Sequence, residues 1–383
     1  MVNIATLNKI SSVGLERFPA SYRIMPGEDG LQDAVGVIVR SYAMHDMDIH
    51  PELLAVARAG AGVNNIPTDR LADAGVVVFN TPGANANAVK ELVIGGLINA
   101  ARNVPAASAW VTSLSPSPDI AKAVEKGKSQ FKGTEIMGKT LGVVGLGAVG
   151  LQVANAAHAL GMNVCGYDPY LSLPSALHLD PAVTVYDKLE DMLPGTDYVS
   201  LHLPALPSTR GMFSSALFSS FKEGAVLLNY SRDTLICEAD LLSALQQGRL
   251  RRYVTDFATP AIMGREDVLI TPHLGASTKE AEDTCAIMAA DQMKAYLEDG
   301  NILHSVNYPD LDLGPRGQAC RVAILTKGIE DPGKRLAEMM KKGKVSRLEG
   351  RTRKEYGYAL CQTDEPVADL PQGKGILRIR IIR

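Results

Sequence analysis

The chain makes little use of cysteine. Cys165, Cys237, Cys285, Cys320 and Cys361 are scattered through 383 residues, odd in number and without a CxxC spacing. That argues against a disulfide framework and fits reduced thiols serving as small buried hydrophobes in a cytosolic protein. An excess of one charge is lacking too. Lys and Arg number 39 and Asp and Glu 42, a net charge of −3, so a phosphate backbone would attract the chain only weakly and nucleic acid is a poor partner. Long hydrophobic runs are missing. The longest mostly apolar stretch, Ala88 to Ala101, includes Lys90 and Glu91 and is too short to span a bilayer. The opening MVNIATLNKISSVGLERF turns polar too soon for a secretory signal. The seven histidines include no HExxH, so no metal is expected. The expectation is a soluble, cytoplasmic protein without nucleic-acid or membrane partners.

What is present is ample core material. Hydrophobic residues make up 46%, with 35 Gly and 21 Pro, in a length that suits two or three domains. Short β-rich runs alternate with longer helical patterns, as in βαβ units that build parallel sheets. A first series of strands is expected at 3–7, 36–39, 54–57 and 76–79. A second is expected at 140–144, 163–167, 183–186, 198–201, 225–228, 253–255 and 268–270. Long helical runs at 85–103 and from about 278 to 297 bracket the second series, as a chain would if it crossed to another domain and returned. Beyond Pro309 the pattern becomes strand, helix, strand, strand and a final strand at 375–382. The basic interval 341–354, with its KKGK turn, reads as a solvated strand face.

The sharpest motif is TLGVVGLGAVG, in which an apolar strand runs into Gly145, Gly147 and Gly150 and then, through Ala148 and Val149, into a helix. The three glycines permit a tight turn, close approach of a pyrophosphate to the backbone, and close packing of helix on strand. The next strand ends at Tyr167 and Asp168, 23 residues after Gly145. A carboxylate there accepts hydrogen bonds from ribose hydroxyls and repels a 2′-phosphate, which points to NAD rather than NADP. Further along, His202 and Pro204, Arg232, and His273 with Gly275 each follow an expected strand. An arginine grips a carboxylate and a histidine passes the proton that accompanies hydride transfer.

On VRSYAMHD, ARAGAGVNNI, VVFNTPGANANAVKEL, GVVGLGAVG, YDPY, VSLHLP, LLNYSR, YVTDF and ITPHLGAST, in this order through residues 1–308, the sequence resembles the D-isomer-specific 2-hydroxyacid dehydrogenases. The likeness is strongest to the branch acting on 3-phospho-D-glycerate. It implies two Rossmann-like α/β lobes with parallel sheets: a substrate-binding domain from 1–97 and 284–308, and an NAD-binding domain from 98–283. The section 309–383 resembles a small α+β ACT domain. The resemblance makes Arg232 and His273 catalytic, with Asp256 facing the nicotinamide carboxamide. It adds Tyr167, His202, Pro204, Thr209, Tyr230 and Gly275 to the cofactor site, and Arg40, Ser41, Arg58, Ala61, Gly62, Val63, Asn80 and Arg232 to the substrate site. It also implies a homodimer joined through the segment 103–132. Another 2-hydroxy acid such as glyoxylate or hydroxypyruvate, or a NAD-sensing protein without catalysis, are the competing readings.

Two departures from the family pattern stand out. Ala261 falls where relatives carry the glutamate that orients the catalytic histidine, so either Glu266 is a displaced substitute or the histidine works without a carboxylate partner. Asp233 follows Arg232 where a glycine is usual. In the C-terminal section, LTKGIEDP lacks the asparagine of relatives that respond to serine, so the resemblance does not carry serine inhibition over to this chain.

Overall fold

The computed structural model describes residues 1–340, 345–365, 367, 370 and 372–383, so the KKGK turn lies outside the described residues. The chain divides into two compact units, Met1–Asn85 with Lys279–Arg383, and Ala86–Thr278.

The first unit holds a five-stranded parallel sheet of β1 (Val2–Leu7), β2 (Tyr22–Pro26), β3 (Gly36–Val39), β4 (Ala55–Arg58) and β5 (Val77–Phe79). Its order is β2-β1-β3-β4-β5. Strands β3, β4 and β5 are almost entirely buried Val, Ile, Ala and Phe, as expected of parallel strands covered on both faces. Strand β2 is the one that the sequence pattern did not suggest. It is an edge strand, only partly buried, and ends in a proline, so it carries neither the apolar density nor the alternation of its neighbours.

The opposite edge is finished by residues far away in sequence. The backbone N–H of Val78 donates to Asn307 Oδ1 at 2.9 Å, while Asn307 Nδ2 donates to the Val76 carbonyl at 2.9 Å. The N–H of Val306 in turn donates to the Val78 carbonyl at 2.9 Å. An exposed sheet edge is thereby closed.

The second unit holds a seven-stranded parallel sheet of β6 (Thr140–Val144), β7 (Asn163–Tyr167), β8 (Thr184–Tyr186), β9 (Tyr198–Leu201), β10 (Ala225–Asn229), β11 (Leu250–Thr255) and β12 (Val268–Ile270). The order β12-β11-β10-β9-β6-β7-β8 reverses direction between β6 and β9. At such a switch point the loops beyond the two strands part and leave a crevice for a ligand. The helix Ala86–Arg102 packs Val93, Leu97, Ala100 and Ala101 into the core beneath this sheet.

The last section forms an antiparallel sheet of β13 (Cys320–Lys327), β14 (Val345–Arg353), β15 (Tyr356–Thr363) and β16 (Ile376–Ile382), ordered β14-β15-β13-β16, with a helix over Pro332–Met340. It shares a core with the rest of the first unit: Leu325, Tyr358 and Leu360 pack in one cluster with Ala286, Met293 and Tyr296.

Three arginines tie it to the helix Lys279–Asp299. Arg380 donates to the carbonyls of Tyr296 (3.0 Å) and Leu297 (3.1 Å), Arg316 to that of Glu298 (2.8 Å) and Arg321 to that of Asp299 (2.8 Å). A helix leaves its last four carbonyls without internal partners and concentrates negative dipole there, so these cations satisfy and neutralise one helix end. No helix among the described residues is long and apolar enough to cross a membrane.

Candidate active site

The glycine motif is built as its spacing predicted. Gly145, directly after β6, has φ +93°, and a Cβ there would press on the carbonyl oxygen of His202. A Cβ at Gly150 would collide with the carbonyl oxygen of Gly145, so the helix Ala148–Ala159 can lie this close to the strand only without a side chain. Around Gly147 nothing lies within 4 Å of where a Cβ would be. Its freedom from a side chain is unused by the protein's own packing, and it leaves the N-terminus of a 12-residue helix open to a diphosphate.

At the end of β7 the carboxylate of Asp168 accepts from the N–H of Leu146 (2.9 Å) and from the N–H of Tyr170 (2.9 Å). The acid is thus fixed beside the glycine turn. Tyr167 is half-buried next to it, whereas Tyr170 is 90% exposed.

Beyond β9, His202 turns its Nε2 to Ser200 Oγ at 2.9 Å, and burial pulls its pKa down to about 3, so it stays neutral. Pro204 is exposed, and Thr209 holds its loop by donating to the Pro204 carbonyl at 2.6 Å.

Beyond β10, buried Asn229 organises the turn that presents Arg232. Its Nδ2 donates to the Arg232 carbonyl at 2.9 Å, and its Oδ1 accepts from the N–H of Ser231 at 3.1 Å. Ser231 Oγ donates across to the Leu201 carbonyl at 2.5 Å. Asp233 turns its carboxylate to the N–H of Thr234 at 2.8 Å and starts a short 3-10 turn. Tyr230 is 6% exposed and its ring fills the space above Gly96, so its side chain is taken up in packing.

Asp256 follows β11 and His273 follows β12. The N–H of His273 donates to the Asp256 carbonyl at 2.9 Å, and the N–H of Gly275 donates to Asp256 Oδ2 at 3.1 Å. His273 is exposed, sits at φ +35°, and its ring lies 4.9 Å from that of Phe257. A left-handed backbone at a histidine is uncommon and is held here by the Asp256 turn. Burial raises the pKa of Asp256, against the Gly275 N–H and the nearby charges of His273 and Arg232. Its Oδ1 is buried with no hydrogen-bond partner. Arg232, Asp256 and His273 are therefore brought together at the carboxyl ends of β10, β11 and β12.

Glu266 is not brought to them. It is exposed and precedes β12, whereas His273 lies beyond the other end of that strand, and Ala261 sits in an exposed turn. The sequence offered Glu266 as a nearby carboxylate by count; the strand between carries the two residues apart.

In the first unit, Arg40, Ser41, Arg58 and Asn80 lie at the carboxyl edge of the sheet. Arg58 donates through Nε to the Arg40 carbonyl at 2.9 Å and through Nη1 to the Gly62 carbonyl, and Asn80 Nδ2 donates to the Ala61 carbonyl at 2.6 Å. The N–H of Ser41 donates to Asn8 Oδ1 at 2.9 Å. Val63 is half-buried.

Sequence reasoning missed Asn229 and Ser200, whose signal was a polar residue within an apolar strand. It also missed Asn8, a non-glycine at φ +72° at the end of β1, and Gln292, which donates to the Asn80 carbonyl at 3.0 Å. Neither announces itself in the sequence.

The unpartnered acceptor of Asp256, the unfilled space at Gly147 and the fixed carboxylate of Asp168 fit a nicotinamide adenine dinucleotide. Residues 94–275 match the D-isomer specific 2-hydroxyacid dehydrogenase, NAD binding domain. D-3-phosphoglycerate dehydrogenase of Methanocaldococcus jannaschii is 34% identical over 296 residues, covering 74% of this chain and 54% of the relative. That of Rattus norvegicus is 36% identical over 277 residues, covering 69% and 50%. The chain thus spans about half the length of these curated relatives. Among solved structures, NAD+-bound 3-phosphoglycerate dehydrogenase of Entamoeba histolytica superposes with a TM-score of 0.63 at 26% identity, over 81% of this chain and 99% of that one. Through this nucleotide-binding region and these relatives, the chain belongs to the D-isomer specific 2-hydroxyacid dehydrogenase family.

Proposed function

We propose that the protein is an NAD-dependent D-3-phosphoglycerate dehydrogenase, oxidising 3-phospho-D-glycerate to 3-phosphohydroxypyruvate at the head of serine biosynthesis. The observation that carries this reading is the convergence of Arg232, Asp256 and His273 at one sheet edge, in a chain whose curated relatives are D-3-phosphoglycerate dehydrogenases. NAD, when bound, supplies the hydride acceptor at its nicotinamide ring. Gly145, Gly147, Ala148, Val149 and Gly150 hold its diphosphate and Asp168 its ribose, while Asp256 Oδ1 accepts from the carboxamide. Arg232 grips the substrate carboxylate and polarises the C2 oxygen, and His273 takes the proton that leaves the hydroxyl. Arg40 and Arg58 act toward the substrate's phosphate, with the 60–63 turn toward its carboxylate. The same groups run the reaction in reverse.

The domain reading goes with this function: 1–97 and 284–308 for substrate, 98–283 for NAD, and 309–383 as an ACT-like domain. The last is supported by the antiparallel β14-β15-β13-β16 order with one crossover helix. A cytoplasmic homodimer joined through 103–132 is supported by the helices Val104–Ser113 and Ile120–Gly127, neither of which has a buried residue, although Val104 and Val111 are apolar.

The test is a substrate panel of 3-phosphoglycerate, glycerate, lactate and 4-phosphoerythronate with NAD and with NADP. Turnover should favour 3-phosphoglycerate with NAD. Comparable turnover of the unphosphorylated acids moves the protein to another branch, and equal efficiency with NADP removes the role of Asp168.

A further inference from the structure

The carboxyl edge of the first sheet holds two arginines in different states. Arg58 spends Nε and Nη1 on backbone carbonyls. Arg40, just past β3, places Nη1 2.8 Å from Oε1 of Glu282, with side-chain exposures of 37% and 42%. Glu282 stands in the first turn of the helix Lys279–Asp299. Its acidic neighbour Asp283 is engaged by Lys279 at 2.7 Å and Ser11 at 2.5 Å. Three positions along the helix from Glu282, Cys285 is 4% exposed. Burial pushes its thiol pKa up, against the Thr81 hydroxyl and the charges of Arg40 and Arg58, while Glu282 adds to the rise. The thiol thus feels both cations and the carboxylate, and of these Arg40 and Glu282 are in direct contact.

We propose that Glu282 is a specificity-determining residue: by holding Arg40 as an ion pair it limits how much the site favours a phosphorylated substrate over an unphosphorylated one. This rests on the reading of Arg40 as a substrate-side cation. A phosphate dianion that engages Arg40 must share the guanidinium with the carboxylate or displace it, and it meets like-charge repulsion in either case. An unphosphorylated acid meets no such opposition. Because the pair is half open to water its strength is modest, so the effect is a graded selectivity and not an on-off gate.

The experiment is Glu282→Gln in the full chain, which keeps an oxygen for Arg40 and removes the charge. The ratio of kcat/KM for 3-phosphoglycerate to that for glycerate should rise about tenfold, through KM. Titration with inorganic phosphate by calorimetry should tighten alongside. Glu280→Gln removes the same charge from the same helical turn and should shift the ratio less than twofold. In an Arg40→Met background Glu282→Gln should have no effect on it. An unchanged ratio in Glu282→Gln, or an equal rise in Glu280→Gln, overturns the inference. Should the protein turn over neither acid, the assigned substrate fails while the phosphate titration still decides the role of Glu282: equal affinity with and without the carboxylate overturns it.

Discussion

The two parallel sheets place polar groups at their carboxyl edges in contrasting ways. In the seven-stranded sheet each group comes from the turn directly after its own strand: Gly145 after β6, Asp168 after β7, Arg232 after β10, Asp256 after β11 and His273 after β12. Its hydrogen bonds are short-range or link adjacent strand ends, as between Asp168 and Leu146 or His273 and Asp256. In the five-stranded sheet Arg40, Arg58 and Asn80 also sit at strand ends with some short-range bonds. Partners more than two hundred positions away are added there: Glu282 for Arg40 and Gln292 for Asn80 at the carboxyl edge, and Asn307 for Val78 along the side of β5. A site of the first kind is written in motifs. A site of the second kind depends on the chain returning after an entire domain, and each return fixes an edge that would otherwise be frayed.

The comparison is broken most severely at Gly150. Its Cβ would collide with the Gly145 carbonyl, a backbone atom that cannot turn aside, so Gly150→Ala should cost about 2–4 kcal/mol and abolish NADH binding. Gly147→Ala, with open space around it, should leave the thermal midpoint nearly unchanged while weakening NADH about tenfold or more. Melting curves beside NADH titrations check both; equal stability losses would refute the assignment of one glycine to packing and the other to ligand.

In the first unit the sharpest counterpart is Asn307→Ala. It strands the Val78 N–H and the Val76 carbonyl in the interior, at about 1–3 kcal/mol, and should expose β5 amides to hydrogen exchange without changing those of β10. Loss of protection in both sheets together would show that the units do not respond separately.

The smallest expected effect is at Asp256. Burial raises its pKa in the folded protein, so the folded state loses stability as pH climbs through the carboxylate range toward that raised value, and the loss persists at neutral pH. Asp256→Asn should stabilise the cofactor-free protein modestly at pH 7, with the gain shrinking as pH falls through the raised native value and gone below about pH 4, where the unfolded acid is protonated as well. Turnover should fall in the same variant. A variant less stable than the parent at pH 7 would mean that the Gly275 N–H and the His273 and Arg232 charges outweigh burial.

Legibility followed range. β3, β6, β7 and β9 have the bounds their apolar runs suggested, because a parallel strand covered on both faces is apolar through most of its length, and the half-buried edge strand β12 does too because its Val-Leu-Ile run is apolar all the same. β2 escaped because a half-covered edge strand needs no such run. The proximity of Arg232, Asp256 and His273 was readable because parallel strands put all their following turns on one side of a sheet.

Glu266 shows the limit: seven positions from His273 is near in sequence, but a strand inserted between them carries it to the other end of the sheet. By itself, then, the sequence determined the alternation of strand and helix, the glycine turn and the residues that end each strand, since these obey local sterics and the two-residue and 3.6-residue periods. Only the tertiary structure decided that Glu282 faces Arg40, that Asn307 closes β5 and that Arg316, Arg321 and Arg380 collect the end of the helix Lys279–Asp299. Such contacts depend on which surfaces the returning chain covers, and no local rule of spacing encodes a partner two hundred residues away.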